Sequence, residues 1–595
     1  MFQMFSDPAL HRWVPEAPPS LDGVSHVELD VETTGLDYKK DRIVGIAVRY
    51  GDRSQYLPIG HSGGNLDEAT VMRWARRELR NKVVTNLHTK FDAHMMREWG
   101  VDLEEQGCRL RDVGHWATLL DEHRKSSSLE SVSMDFLGRG KIGGLDKTRM
   151  AEYHAGEVES YACNDVDLVH DLVPVLEPMI QAEGLGAVRD LEDELIWAVV
   201  EMERNGAPID VELLHKWREE CEQEYLKCLW RVSKATGLNV NPKSAEDMAR
   251  LWRHLGLEVE EYTESGAPSF TDATLRRHSN NPIVADVRMA RALHGVETKY
   301  LTPYSQAVGS DGILRYHLHQ LRVAVMQRAA EADGLEGGGT VSGRFSSSDQ
   351  NIQQVYSVEK QIAKTGDRFI IRQLFRPASG MWLSADAKQI EYRIFANYAN
   401  SPRINAAYER DPETDFHNIV MEMVRAIKPD INRKRTKDLN FAKIFGAGLK
   451  KVALMLEVSL DDARKFVQAY DRAFPEVPPL IHKCSKYAAD RGWVKTVLGR
   501  RSRFPRKERL HKALNSVVQG SAADYNKLKL VELHRERKYT GLVMRFTVHD
   551  EVDGDVPDAE SVRRVSEVLA RQSVPQWKVP ILWDVATGEN WRQCA

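Results

Sequence analysis

The chain has 595 residues, 42% of them hydrophobic and 29% charged, with a net charge of −4, the balance of an ordinary globular protein with room for several domains. No run approaches the roughly 20 apolar residues of a membrane span, and the first 19 residues lack the apolar core of a secretory signal. The six cysteines show neither a CxxC pair nor zinc spacing, which excludes a disulfide framework and a structural zinc and points to a reducing cytoplasm.

The first strand signal lies at residues 24–31, where Val27, Leu29 and Val31 alternate with Glu28, Asp30 and Glu32. Side chains two apart share a face, so Asp30 and Glu32 are placed to address one ion. Further strands are predicted at 43–48, 55–59 and 83–87, followed by a helix that starts near Lys90 with Asp92 in its first turn. A later helix carries Tyr161 and Asp165 one turn apart on one face. The four carboxylates Asp30, Glu32, Asp92 and Asp165 suffice for two hard divalent ions, Mg²⁺ or Mn²⁺. Two such ions ~3.5–4 Å apart activate a water and stabilise the leaving oxygen of a phosphodiester. Taken singly, each acid reads as a solvated residue. The ordered set, with an aromatic four residues before the last acid, reads as a nuclease. Asp30-Val31-Glu32-Thr33-Thr34-Gly35-Leu36, Asn86 through Phe91-Asp92, and Tyr161-Ala162-Cys163-Asn164-Asp165 resemble the three exonuclease motifs of the DEDD superfamily, the last in its Tyr-containing form. The resemblance implies an RNase H-like fold, with Tyr161 orienting the attacking water and Leu36 wedged beside the terminal base.

Residues 185–301 are predicted to be mostly helical. The helical run 191–204 stops at Asn205-Gly206, with Pro208 beyond, and Asn241-Pro242-Lys243-Ser244 opens another helix. The segment Glu203-Arg204-Asn205-Gly206-Ala207-Pro208-Ile209-Asp210 resembles the entry to a family A DNA polymerase domain. Asn241-Pro242-x-Ser244 resembles its thumb, and residues 288–300 the helix that returns to the palm; a generic helical linker would carry the same patterns. There is no room for a processivity-factor loop, and the stretch 322–339 matches nothing.

Four features follow in order. Residues 340–347, Thr340-Val341-Ser342-Gly343-Arg344-Phe345-Ser346-Ser347, with Asn351-Ile352-Gln353, make a Gly-Arg turn followed by small hydroxyls, suited to lie close to phosphates. Trp382-Leu383-Ser384-Ala385-Asp386 reads as a strand ending in an acid, running into a helix with Gln389, Glu391 and Arg393. Arg433, Lys437, Phe441 and Phe445 recur every four residues on one face of a helix that Gly446 and Gly448 end. Two cations followed by two aromatics make an odd core stripe and a sensible nucleotide platform. Residues 542–548 and 552–556 read as strands joined through His549-Asp550-Glu551, a hairpin that lifts Asp550 to a sheet tip where it can meet Asp386. Alone, the first feature is also a Ser-rich loop and the third an amphipathic surface helix. In this order they are similar to the primer-binding segment and to motifs A, B and C of family A DNA polymerases.

Under that resemblance Asp386 and Asp550, assisted by the Ala387 carbonyl, hold two Mg²⁺ ions, with Mn²⁺ as the alternative. Arg433 and Lys437 neutralise the triphosphate, and Lys437 also serves the leaving pyrophosphate. Phe441 packs on the sugar and base, Glu391 lies under the sugar, and His417 of Asp415-Phe416-His417 contacts the triphosphate. Asn515 and Gln519 read the minor groove, whose acceptors are nearly the same for all base pairs. Gln389, Arg344, Phe445 and His549 complete the substrate-binding set. The basic run 491–512, including Arg500, Arg501 and Arg503, is expected to contact template phosphates; it and the run 433–437 also fit a solvated surface. Phe445 departs from the family's usual Tyr, His511 from an expected Arg, and Gln354 and Tyr356 from Asn and Pro. Phe441 in place of Tyr implies poor use of dideoxynucleotides.

The expected architecture is α/β and α+β: an RNase H-like exonuclease (1–185), connector and thumb (186–339), palm (340–400), fingers (401–510) and palm again (511–595). The expected activity is template-directed DNA synthesis from dNTPs on primer–template DNA, with 3′→5′ proofreading. The expected setting is a monomer in a bacterial cytoplasm, of bacteriophage type by analogy of length, with no 5′-nuclease ahead of it; accessory replication proteins are not readable. The rivals are a stand-alone DEDD exonuclease with a helical substrate-binding half, and a non-catalytic DNA-binding scaffold.

Overall fold

The computed structural model describes residues 10–263, 265–321 and 341–594. The stretch 322–339, Thr340 and the expected boundary at 339/340 lie outside the described residues. The opening alternation forms β1 (His26–Thr33), followed by β2 (Ile43–Tyr50), β3 (Arg53–Pro58) and β4 (Val83–Asn86). A fifth strand, β5 (Arg109–Asp112), escaped the pattern because Arg-Leu-Arg-Asp offers one apolar side chain. The order is β3-β2-β1-β4-β5, antiparallel from β3 to β1 and parallel from β1 to β5. Val27, Leu29 and Val31 pack with Trp74, Met95 and Met96 on one face. On the other, Val44, Ala47 and Tyr56 meet Val158, Tyr161, Ala162 and Val166 of helix Ala155–Ala182. By the two-residue period, Asp30 and Glu32 therefore point toward the helix that carries Tyr161 and Asp165.

Helix Gly186–Asn205 ends at Gly206, whose φ of 52° satisfies the stop that its sequence announces. Ile196 and Val200 enter the N-terminal core, while Leu191, Leu195, Val199 and Met202 enter a core shared with the C-terminal sheet. The connector is thus a core element of both halves. Two short pairs, β6 (Ala207–Pro208) with β7 (Ile313–Leu314) and β8 (His317–His319) with β9 (Ser346–Ser348), stitch the middle of the chain. Helices Val211–Thr236 and Pro282–Val296 pack together, and the second runs into a π-helical turn at Glu297–Leu301.

The C-terminal half opens on β10 (Met381–Ala387). The strands β11 (Trp493–Lys495) and β12 (Arg501–Arg503) form a separate hairpin. The strands β13 (Val543–Val548), β14 (Glu551–Val556) and β15 (Trp583–Gly588) join β10 in an antiparallel sheet of order β13-β14-β10-β15. Trp382, Phe546 and Trp591 pack together on one face of it, and Leu383 and Val552, alternating with them along the strands, are buried on the other. A second core, with Tyr392, Phe416, Phe466, Tyr470 and Phe474, gathers the helices between β10 and β11. Among the described residues no helix is long and apolar enough to cross a membrane.

Candidate active sites

The C-terminal site is built at the end of β10. Strand register sets Asp386 opposite Glu551 on one side and Asp584 on the other. Val548 pairs with Glu551, leaving His549 and Asp550 as a two-residue turn in which His549 adopts φ 57°, the left-handed conformation that tight hairpins favour. The Ala387 N–H donates to the Asp550 carbonyl at 3.2 Å, tying the turn to β10. Gln353 and Asn526 brace it from behind: Gln353 Nε2 donates to Thr547 O at 2.5 Å, and Asn526 Nδ2 donates to Thr547 Oγ1 at 3.0 Å and His549 O at 3.2 Å. Neither the bracing by Asn526 nor the presence of Asp584 was visible in sequence, because both are matters of strand pairing.

Asp386 is exposed and Asp550 half-buried. Desolvation in the cleft and the charges of Glu551, Asp550 and Asp584 raise the Asp386 pKa to about 7. Burial, with Glu391 nearby, raises that of Asp550 to about 6. The raised values are those of acids crowded together in a partly desolvated cleft. Glu551 is turned away and held by Ser384 Oγ at 2.6 Å, Trp591 Nε1 at 2.7 Å and Arg372 at 3.1 Å. The hard oxygens left facing the cleft suit a divalent cation such as Mg²⁺ or Mn²⁺.

Across the cleft stands helix Arg433–Ile444, capped by Asn432, which accepts from the Arg435 N–H. Thr436, Leu439, Asn440 and Ile444 are buried, so the opposite face presents exposed Arg433 and Lys437 and half-buried Phe441 and Phe445. The Phe441 and Phe445 rings stack at 5.9 Å. The Lys437 charge reaches both Asp386 and Asp550, and Arg433 Nε meets Asp415 at 2.5 Å. His417 is fully buried beside Phe441, its Nδ1 3.0 Å from Asn440, and burial lowers its pKa to about 4. It is therefore a neutral ring behind the platform, without access to solvent. Glu391 is bound by Arg344 at 2.5 Å, where Phe445 offers no hydroxyl. Gln389, at φ 48°, turns the chain from β10 into helix Ile390–Ala399. Asn515 and Gln519 lie on helix Ala513–Arg535 and line a cavity of about 560 Å³ with Ser342, Arg506, Arg509 and Lys512.

The expected phosphate contacts of Arg500, Arg501 and Arg503 are corrected by the structure. Arg500 is buried between Glu192 and Asp524, 2.6 Å from the latter. Arg501 pairs with Glu183 at 2.9 Å, and Arg503 with Glu122 at 2.7 Å and with Glu183. The β11–β12 hairpin faces the N-terminal half, and acids more than three hundred residues upstream take up its charge. The exposed cations of this run are Arg491, Lys495, Arg506, Lys507, Arg509 and Lys512.

In the N-terminal site, oxygens of Asp30, Glu32 and Asp165 all lie within 4.8 Å of one another. Asp92 stands one layer back, accepting from the Val31 N–H at 3.2 Å and from Asn86 Nδ2 at 2.8 Å; Asn86 also donates to Asp30 at 2.8 Å. Three of the four expected acids thus cluster directly, and the fourth is joined through Asn86. Burial raises all four pKa values, that of Asp165 to about 6, with Asp30 adding to it. Asp165 Oδ1 is buried without a hydrogen-bond partner among the described residues, which leaves an oxygen for a cation. Its other oxygen contacts Lys141. Lys141 and Lys147 sit 5.0 and 5.6 Å from the Tyr161 ring centre; neither lysine was singled out from sequence. Leu36 is 74% exposed.

A sequence model of DNA polymerase family A matches residues 211–593. The DNA polymerase DpoZ of Acinetobacter phage SH-Ab 15497 is 27% identical, over 96% of this chain and 98% of its own. The DNA polymerase I of Pseudomonas aeruginosa is 25% identical, over 96% of this chain and 64% of its own. Among solved structures, the POL domain of Pol1 from M. smegmatis, in complex with DNA primer-template and dNTP, superposes with a TM-score of 0.78 over 96% of each chain, at 20% identity, a likeness of fold. More than half of the chain lies within the family match, and it carries the Asp386–Asp550 cleft: the chain belongs to DNA polymerase family A.

Proposed function

We propose that this family A DNA polymerase extends primers at the Asp386–Asp550 cleft and removes 3′-terminal nucleotides at the Asp30–Glu32–Asp165 cluster, the two sites lying on one chain. The observation that carries the first half is the strand register, which sets Asp386 beside the Asp550 turn, with exposed Lys437 acting on both. Asp386 and Asp550, with the Ala387 carbonyl, are the residues to hold the ions. What a pair of Mg²⁺ ions supplies when bound there is a lowered pKa for the primer hydroxyl and positive charge for the leaving pyrophosphate. Arg433 and Lys437 grip the triphosphate, and Lys437 offers a proton to the leaving group. Phe441 is the flat surface for sugar and base, with Phe445 stacked behind it and His417 as its neutral backing. Glu391, fixed by Arg344, fills the space below the sugar, and Gln389 and His549 frame the cleft. Asn515 and Gln519 face the primer–template minor groove, and Arg506, Arg509 and Lys512 take backbone phosphates.

In the N-terminal site Asp30, Glu32 and Asp165, with Asp92 behind them, hold a second set of ions in an RNase H-like unit. Tyr161 orients the attacking water, and Leu36 wedges against the end of the strand. The units divide as exonuclease 1–185, connector and thumb 186–339, palm 340–400, fingers 401–510 and palm 511–595. The test is a labelled primer–template incubated with Mg²⁺, with and without dNTPs. The native chain lengthens the primer with dNTPs and shortens it without them. Asp386→Ala with Asp550→Ala abolishes lengthening alone, and Asp30→Ala with Glu32→Ala abolishes shortening alone. Extension that survives the first pair of substitutions, or trimming that survives the second, refutes the corresponding half.

A further inference from the structure

A glycine-rich loop, residues 138–146, delivers a cation into the N-terminal acid cluster. Its backbone is fixed at three points: Lys141 N–H donates to Glu130 at 2.6 Å, Ile142 N–H to Asn164 Oδ1 at 3.0 Å, and Asp146 N–H to the Tyr153 hydroxyl at 2.9 Å. Gly140 allows the first contact, since a Cβ there would fall within 2.6 Å of the Glu130 carboxylate. The loop so held directs the Lys141 ammonium onto Asp165, with both partners largely buried. The same ammonium lies 5.0 Å from the Tyr161 ring centre and acts on Asp30 and Glu32. Asp165 is the acid on which Tyr161, Lys141 and the triad converge, and half of its carboxylate is already occupied by the protein's own cation. A divalent ion seated among Asp30, Glu32 and Asp165 meets that ammonium as a like charge.

Resting on the exonuclease reading above, we propose that Lys141 is the resident counterion of this site: it holds Asp165 in the ligating arrangement while no divalent ion is bound and must withdraw when one binds, so that Lys141 sets the metal concentration at which trimming begins. The role is one of positioning and of metal selectivity, because the ammonium touches a ligand rather than the substrate.

The test is Mn²⁺ binding to the full-length chain without DNA, read by the electron paramagnetic resonance of free Mn²⁺. Asp386→Asn and Asp550→Asn are included throughout so that the C-terminal acids do not contribute. Lys141→Met tightens binding at the N-terminal site on the order of tenfold, because one positive charge beside the ion is gone, while Lys141→Arg restores the weaker native affinity. In metal-free buffer Lys141→Met also melts at lower temperature than the same chain with Lys141, and Mn²⁺ raises its midpoint by the larger amount. Unchanged or weaker Mn²⁺ binding in Lys141→Met overturns the proposal. A Lys141→Met chain that fails to fold shifts the decision to Lys141→Arg, whose Mn²⁺ affinity must then stay within a factor of two of the native value. Asp30→Ala with Glu32→Ala separates the two readings. If that pair abolishes binding while Lys141→Met changes nothing, the counterion idea fails and the metal site stands; if the pair leaves binding intact, the metal site itself is wrong.

Discussion

Replacing Glu192 by Gln unbalances a buried ion network that joins the two halves of the molecule. Glu192 on helix Gly186–Asn205 meets Arg500 and Lys527, the latter at 2.6 Å, and Arg500 meets Asp524 at 2.6 Å. All four side chains are at most 5% exposed. Gln320 donates to Glu192 at 2.8 Å and accepts from Lys527 through its carbonyl at 2.5 Å, and Thr496 donates to Asp524 at 2.6 Å. Although burial pushes the Glu192 pKa up, Lys527 and Arg500 outweigh it and bring it to about 2. With Glu192 neutral, two buried cations share one acid, and removing one partner of a buried pair costs about 3–5 kcal/mol. Lys527→Met alone leaves two acids on Arg500 and carries a similar cost. The double variant Glu192→Gln, Lys527→Met leaves one cation and one anion, Arg500 with Asp524, so it recovers at least about 2 kcal/mol relative to the sum of the singles, a coupling typical of residues in one network. Because a chain of this size need not unfold in one step, the measurement is native-state hydrogen exchange on the peptide spanning Gly186–Asn205, which reports the local opening free energy. Costs of the two single variants that simply add in the double would show that the charges do not act as one network.

Four further outcomes follow from the proposed polymerase cleft. Asp386 and Asp550, with pKa values raised to about 7 and about 6, are increasingly protonated below neutrality. Protons then compete with the ion, and the Mg²⁺ concentration for half-maximal extension rises on the order of tenfold from pH 8 to pH 6. The sign for stability is opposite: a carboxyl with a raised folded pKa destabilises the metal-free protein as pH climbs from about 4 to about 7, so Asp386→Asn melts higher than the native chain at pH 8 without metal, and the gap narrows as pH falls and closes only near about pH 4. Gln353→Ala frees the His549–Asp550 turn and slows single-nucleotide extension by about tenfold while the dNTP KM changes less than about twofold; a rise in KM alone would contradict a bracing role. Phe441→Tyr supplies a hydroxyl where the native platform has none and raises dideoxynucleotide use relative to dNTPs on the order of a hundredfold in a competition assay.

What the sequence reveals is what depends on neighbours along the chain. The alternation at 27–32 gives β1 and the facing of Asp30 and Glu32; the Asn205-Gly206 stop ends its helix; the four-residue recurrence from Arg433 separates the exposed face from buried Leu439 and Ile444. What it conceals depends on partners far apart. Arg500 and Lys527 carry the same side-chain charge as Arg506 and Lys512, and only folding assigns the first two to Glu192 and leaves the others exposed. Asp584 stands beside Asp386 through the β10–β15 register, and Asn526 braces a turn more than twenty residues downstream. The strand β5 was hidden for the converse reason: its charged residues suggest a loop, yet parallel pairing along β4 and the burial of Leu110 and Asp112 make it a strand.

The two acid clusters differ in where their counter-charge originates, and that difference separates their control. In the N-terminal cluster the cation comes from a loop of the same unit and already contacts Asp165. In the C-terminal cluster, among the described residues, no ion pair reaches Asp386 or Asp550; the charges that temper them, Lys437 for both and Arg344 for Asp550, stand on helix Arg433–Ile444 and on the segment ahead of β9. Those carriers are themselves the residues proposed to meet the nucleotide and the primer. Under the proposed function, repulsion between the C-terminal acids is relieved as ions and substrate arrive together, and the raised pKa values of Asp386 and Asp550 make a proton their competitor near neutrality. The N-terminal acids need no substrate to be partly neutralised, and an entering ion must displace a tethered ammonium. Under the proposed function, synthesis is governed by proton competition and by the presence of nucleotide, and trimming by the local contest between Lys141 and the metal, so that two sets of acids on one chain respond differently to the same solution.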